Sequence, residues 1–195
     1  MKIDINCDLG EGYGAWTMGD DEALLRVVTS ANVACGFHAG DPSIMDRTVR
    51  LAQSAGADVG AHVSFPDLQG FGRRLMHLSA KELETLTLYQ LGALSGIARP
   101  IGKAVTHVTF HGALGNLALV NRDVARALVA ATKTFDADLI LCIPPLSALQ
   151  QEAERAGLRV AQLVLADRAY DDQGQLVPRG TPGAVIHDQI GRAHV

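Results

Sequence analysis

Cysteine is scarce and odd in number, with Cys7, Cys35 and Cys142 scattered along the chain. That argues against a disulfide framework, and without paired spacing a cysteine-based zinc site is also disfavoured. No apolar run reaches the roughly 18 residues that suggest a membrane span. An excess of one charge is missing too: 17 Lys and Arg stand against 21 Asp and Glu, a net charge of -4. No basic face is implied, so nucleic acid and anionic membranes are poor partners. There is no linker, repeat or low-complexity segment. Met1-Lys2-Ile3-Asp4-Ile5 enters a strand pattern at once and lacks signal-peptide shape. A cytoplasmic protein with buried, reduced thiols is therefore expected. Neither G-x-x-x-x-G-K-[ST] nor G-x-S-x-G occurs, so a phosphate-binding loop and a serine-hydrolase elbow are unsupported.

What is present is globular. The 195 residues are 48% hydrophobic and 19% charged, enough for one domain with a real core. Short β-like runs alternate with helical patterns almost throughout. Strands are expected at Lys2 to Asn6, Ala31 to Cys35, Ala57 to His62, Ala104 to Val108, Asp138 to Ile143 and Leu158 to Leu163, with a seventh at Gly183 to Ile186. Asp20-Asp21-Glu22 opens a short helix, acidic where the helix dipole favours it. Asp41-Pro42 starts a helix that Gly56 ends. Ser79-Ala80-Lys81-Glu82 is a capping box ahead of the stripe Leu83, Leu86, Gln90, Leu94 and Ile97. Further helices are marked by Val124, Leu128, Ala131 and Phe135, and by Ser147 to Ala156 before Gly157. This βαβα alternation predicts a parallel sheet covered by helices. The expected fold is α/β, a TIM-like barrel, with an open doubly wound sheet as the rival.

In both architectures ligands bind at the carboxyl ends of the strands. The unusual polar groups collect there. Asp8 and Glu11 follow the first strand, flanked by Gly10 and Gly12. His38 follows the second and His62 ends the third. His107 lies on the fourth, before His111 and Asn116. Asp167-Arg168 follow the sixth, and His187-Asp188 the seventh. As paired carboxylates, Asp8 and Glu11 can hold a divalent metal, act as acid and base, or simply cap a loop. Asp8, His38 and His62 form a His/His/carboxylate set of the kind that binds catalytic metals, though a lone histidine is more often structural. His111 fits a general base or oxyanion stabiliser. After the Gly-rich loop, one of Arg73 and Arg74 can bind a carboxylate or phosphate bidentately while the other is solvated. Asp167 and Arg168 alternatively form an internal ion pair. Asp41 is explained as a helix cap, and His77 as a surface residue.

Several of these segments resemble the LamB/YcsF family. They are Asp8-Leu9-Gly10-Glu11-Gly12, Ser30 through Asp41, Gly60-Ala61-His62, Phe65-Pro66-Asp67, Gly70-Phe71-Gly72-Arg73 and Leu88 through Leu94. His111-Gly112-Ala113-Leu114, Ala166 through Tyr170 and Pro182 through Asp188 continue the match in order. The resemblance implies a barrel related to the metal-dependent deacetylase and glycoside-hydrolase barrels. It implies ATP-dependent opening of 5-oxoproline to L-glutamate, in company with B and C subunits. On that reading Asp8, Glu11, His38 and His111 are catalytic, and Asp8, His38 and His62 hold a divalent metal ion. Arg73, Asn116, Asp167 and Arg168 contact substrate. Departures stand at Thr109-Phe110, where the family has Lys-Pro, at Gly115, where it has Tyr, and around Pro144-Pro145-Leu146.

A complete barrel takes about 250 residues. Residues 1–188 are therefore expected to form a single βα-barrel domain incomplete at its C-terminus, with unpaired strand edges that invite self-association into a homo-oligomer. Residues 189–195 lack periodicity and read as an artefactual tail. Two other functions remain open. One is a metal-dependent deacetylase or amidohydrolase that needs neither ATP nor partners. The other is a non-catalytic binding subunit.

Overall fold

The structure, a computed structural model, describes residues 3–174 and 176–187. Six strands form one sheet in the order β1-β2-β3-β4-β5-β6. They are β1 (Asn6–Leu9), β2 (Ser30–Ala34), β3 (Asp58–Val63), β4 (Val105–Phe110), β5 (Ile140–Ile143) and β6 (Arg159–Gln162). Every neighbouring pair is parallel. The helices are α1 (Asp21–Leu24), α2 (Pro42–Ala55), α3 (Ala80–Ala98), α4 (Gly112–Val120), α5 (Arg122–Phe135) and α6 (Ala148–Ala156), with a short 3-10 turn at Arg99–Ile101.

That strand order separates the two rival architectures. A doubly wound sheet reverses its winding at a switch point, and here no reversal occurs. Right-handed crossovers in one continuous direction place the helices on one face. The opposite face must then curl inward, which is the winding of a TIM-like barrel. Alternation along the strands records the two faces. Leu9, Val33, Ala61, Val63, Val108, Leu141 and Ile143 are buried in the core with Val49, Leu91, Leu94 and Leu128 of the helices. Between them, Asp8, Asn32, His62, Thr109 and Cys142 look into the interior cavity.

Local signals in the chain account for the helix ends. Asp41 caps α2 through Ser43 N and Ile44 N, with Pro42 in the first turn and Gly56 left-handed at the end. The α3 capping box is complete, with Ser79 and Glu82 bonding reciprocally. Ser147 and Gly157 bracket α6.

Three expectations shift. Lys2 to Asn6 is not the paired strand; pairing with β2 starts at Asn6, and Ile3 and Ile5 are exposed. Asp8 consequently sits inside β1 rather than after it. Gly183 to Ile186 does not join the sheet, and Val185 makes only an isolated antiparallel bridge to Arg168. Helix α4 was not expected. Its sequence, Gly-Ala-Leu-Gly-Asn-Leu-Ala-Leu-Val, carries neither a polar stripe nor a side-chain cap. Residues 188–195, with the expected tail, lie outside the described residues.

Candidate active site

Five side chains from four strand ends converge. Asp8 comes from β1 and Glu11 from the loop after it. His38 comes from the loop after β2, His62 from β3, and His111 from the residue after β4. Glu11 Oε1 lies 2.9 Å from His38 Nε2, 3.5 Å from His111 Nδ1 and 3.9 Å from His62 Nε2. His62 Nε2 lies 2.9 Å from His111 Nδ1 and 3.4 Å from Asp8 Oδ2. The rings of His38 and His111 stack 3.8 Å apart. All three histidines are buried, whereas the Asp8 side chain is 45% exposed at the cavity side.

The β3–α3 loop holds His111 in place. Phe71 adopts a positive φ of 53°, which a bulky residue rarely does, and its carbonyl lies 2.8 Å from His111 Nε2. A carbonyl only accepts, so His111 Nε2 carries the proton. A neutral ring then offers a bare Nδ1 to the centre of the cluster. Gly72 follows at φ 63°, and a Cβ there would lie 2.2 Å from Ser64 Oγ and 2.8 Å from His111 Cδ2. Only glycine permits this approach. On the other side of β3, Gln90 of α3 accepts from Ser64 N and donates to Ser64 O, each at 2.9 Å, anchoring the strand just past His62.

Burial and mutual repulsion set the charges. Burial, reinforced by the nearby His62, pushes the imidazoles of His38 and His111 down to about 3, so both are neutral near pH 7. His62 is shifted the other way: burial opposes its charge, but the Asp8 carboxylate and Glu11 overcome that and raise it. For Asp8 burial is again outweighed, here by His62 and Asn32, and its pKa falls. Burial raises Glu11, keeping its carboxyl closer to neutral pH than an exposed glutamate. The site thus pairs one firmly ionised carboxylate with one whose proton is more tightly held.

Glu11, His38, His62 and His111 form a group able to hold a metal ion, each offering one ligand atom, all within 4.8 Å of one another. Three imidazoles and a carboxylate suit a catalytic divalent cation. The Phe71 carbonyl fixes the outer nitrogen of His111 as metal-ligating histidines require. Within the expected set of Asp8, His38 and His62, the two histidines fall in this group and Asp8 stands beside it, 3.4 Å from His62. The outer nitrogens of His38 and His62 have no protein partner among the described residues.

The expected substrate contacts divide. Arg73 and Asn116 line a cavity of about 780 Å³ that opens beside Asp8, His62 and His111. The Arg73 guanidinium lies 5.2 Å from the Phe71 ring centroid, a cation–π contact. Arg74 is instead paired with Asp67. Arg168 also borders the cavity, but it is buried and donates to Ala184 O and Val177 O, bracing its own loop. Asp167 is not among the lining residues, and no ion pair joins it to Arg168 among the described residues. Asn32 and His107 were not assigned a role from the sequence. A mid-strand Asn on a parallel strand, where apolar residues are the norm, was the available signal.

A parallel α/β chain wound as a barrel, with a histidine–carboxylate centre at the strand carboxyl ends, is the class this fold and site define. The chain belongs to the LamB/YcsF family, whose model matches residues 3–194. It is 58% identical to the first 5-oxoprolinase A subunit of Pseudomonas syringae pv. tomato over 188 residues, 96% of this chain and 73% of that protein. It is 59% identical to the second 5-oxoprolinase A subunit of Ralstonia nicotianae, covering 97% of this chain and 73% of the relative. The crystal structure of a lactam utilization protein from Thermus thermophilus superposes with a TM-score of 0.94 at 48% identity, covering 96% of this chain and 76% of that one.

Proposed function

We propose that this chain acts as the A subunit of an ATP-dependent 5-oxoprolinase, opening the lactam of 5-oxoproline to L-glutamate. The observation that carries the reading is the identity, over nearly the whole chain, to relatives named for that subunit. The site geometry suits the chemistry. A lactam is a resonance-stabilised amide and a poor electrophile. Transfer of the ATP γ-phosphoryl group to its oxygen weakens that resonance. Water then adds to the ring carbon, the carbon–nitrogen bond breaks as the nitrogen takes a proton, and a second water hydrolyses the acyl phosphate to L-glutamate and phosphate.

Each residue has a part in that sequence. Glu11, whose carboxyl holds its proton more tightly than usual, takes the water's proton and delivers it to the departing nitrogen. His38 and His111, neutral, orient that water. His62, whose charged form the Asp8 carboxylate favours, stabilises the developing negative charge. Arg73 and Asn116, on the cavity wall, hold the substrate carboxylate and ring. A divalent cation held by Glu11, His38, His62 and His111, with all three imidazoles neutral, would supply Lewis-acid polarisation of the reacting oxygen in place of the charge on His62. ATP enters through the complex with the B and C subunits. A cytoplasmic location fits three free thiols. No helix among the described residues is long and apolar enough to cross a membrane.

The cluster itself favours one second reading, a metal-dependent deacetylase or amidohydrolase. Glutamate release from 5-oxoproline, assayed with and without ATP and the B and C subunits, separates the two. The proposal expects release only with all components present. Release of acetate or of another small acid by the chain alone, without ATP, would support the second reading.

A further inference from the structure

One row of residues crosses four strands beneath the reacting cluster. Asp8 pairs in register with Asn32, Asn32 with Gly60, and Gly60 with His107. All four lie at one level of the barrel interior. In the row above, Ala34, His62 and Thr109 stand in register. Gly60 interrupts the lower row with no side chain. A Cβ there would lie 2.1 Å from the His107 ring, so the ring occupies the space a side chain would take. His107 thus reaches across β3 to Asn32.

The hydrogen bonds along this row have one direction. Asn32 Nδ2 donates to Asp8 Oδ1 at 3.1 Å and to Asn6 Oδ1 at 2.8 Å. With both amide protons committed, Asn32 Oδ1 must accept, and His107 Nε2 stands 3.0 Å away. A neutral His107 then has a bare Nδ1, and the Thr106 hydroxyl lies 2.9 Å from it. Asn32 and His107 are 2% and 5% exposed, so water does not compete for these bonds. A buried network of this kind is maintained only if every member is satisfied; the Thr106 hydroxyl, which also lies 3.2 Å from Val59 O, completes it by giving its one proton to His107 Nδ1.

We propose that Asn32 and His107 are positioning residues, a chain Thr106–His107–Asn32 that locks one oxygen of Asp8 so that the other faces His62. Neither residue touches the cluster formed by Glu11, His38, His62 and His111. The role rests on the reading of Asp8 as part of the reacting site. Without the chain the Asp8 carboxylate, exposed on its cavity side, is free to rotate away from His62. Partners of this type cost about 10–100-fold in function when removed.

Two measurements test it. In the complex with the B and C subunits and ATP, His107→Phe keeps the packing against Gly60 but removes both nitrogens, and Asn32→Leu removes all three of its side-chain bonds at similar volume. Each is expected to lower kcat for 5-oxoproline about 10–100-fold while KM changes less than about threefold. His107→Gln, which restores a donor toward Asn32, is expected to recover most of the loss. Thr106→Val, isosteric on a strand, gives a smaller loss in the same direction and serves if a larger substitution fails to fold. In crystal structures of Asn32→Leu or Thr106→Val, the Asp8 carboxylate should leave its contact with His62. Wild-type kcat in the variants, or an unmoved Asp8, would overturn the proposal. If the wild-type complex opens no 5-oxoproline, the functional reading fails while the crystallographic comparison still decides the positioning role.

Discussion

At the residue scale the site depends on histidines kept neutral by burial. His38 and His111 have folded pKa values of about 3, below the ordinary 6.5, and burial lowers His107 as well. Above pH 6.5 neither folded nor unfolded chain is protonated there, and their full contribution to stability is present. Below it the unfolded chain takes up protons that the folded site refuses, so stability is lost as pH falls from 6.5 toward 3. His62, raised by Asp8, and Glu11, raised by burial, work in the opposite direction but are two groups against three. Urea melts should therefore show stability falling between pH 6.5 and 5, by up to about 1.4 kcal/mol per pH unit for each depressed ring. A flat profile over that window would contradict this assignment of charge. A second prediction concerns Gly72→Ala, where a left-handed backbone and a 2.2 Å approach to Ser64 Oγ coincide. It should destabilise the protein by about 1–3 kcal/mol in denaturant melts and displace His111. The convergence of Asp8, Glu11, His38, His62 and His111 was legible in the sequence because each stands at or just after the carboxyl end of a successive parallel strand. Arg168 was less legible, since a guanidinium beside a cavity and one bracing a loop look alike in a sequence. Asn32 and His107 become meaningful only once strand register puts them in one row.

At the element scale, helices with end signals were readable and the one without them was not. The Asp41-Pro42 start, the Ser79–Glu82 capping box and the terminal Gly56 and Gly157 all mark observed boundaries. Helix α4 follows His111 directly and is held by tertiary contact, with Ala113 N donating to Gly72 O at 2.9 Å. Its composition is apolar all round, so periodicity could not announce it. The first strand was misplaced because Ile3 and Ile5 alternate with polar residues, yet only Asn6 onward pairs with β2. Contact between α3 and β3 gives the element-scale prediction. Gln90 satisfies both backbone groups of Ser64 in a fully buried setting. Gln90→Leu leaves that N–H and C=O unpaired and should cost about 2–4 kcal/mol in chemical denaturation. By contrast Ser79→Ala, at the exposed start of the same helix, should cost only about 1 kcal/mol. Equal effects of the two would mean that the Gln90 clamp does not hold β3.

At the scale of the whole molecule, the sequential parallel order gathers residues more than a hundred positions apart onto one rim. Strand alternation then divides each strand between an apolar face for the helices and a polar face for chemistry. The βαβα rhythm made the parallel sheet legible, but its winding in one direction, as in a barrel, rather than in two, as in a doubly wound sheet, rests on strand order, which no local pattern encodes. The central claim is that Glu11, His38 and His62 act together at one centre on a cyclic amide. The direct measurement is steady-state glutamate formation from 5-oxoproline, with ATP and the B and C subunits, by Glu11→Gln, His38→Ala and His62→Ala beside the unaltered chain. A loss of about 10²-fold or more in kcat for each variant is the predicted result, and rates indistinguishable from the unaltered chain in all three would contradict it.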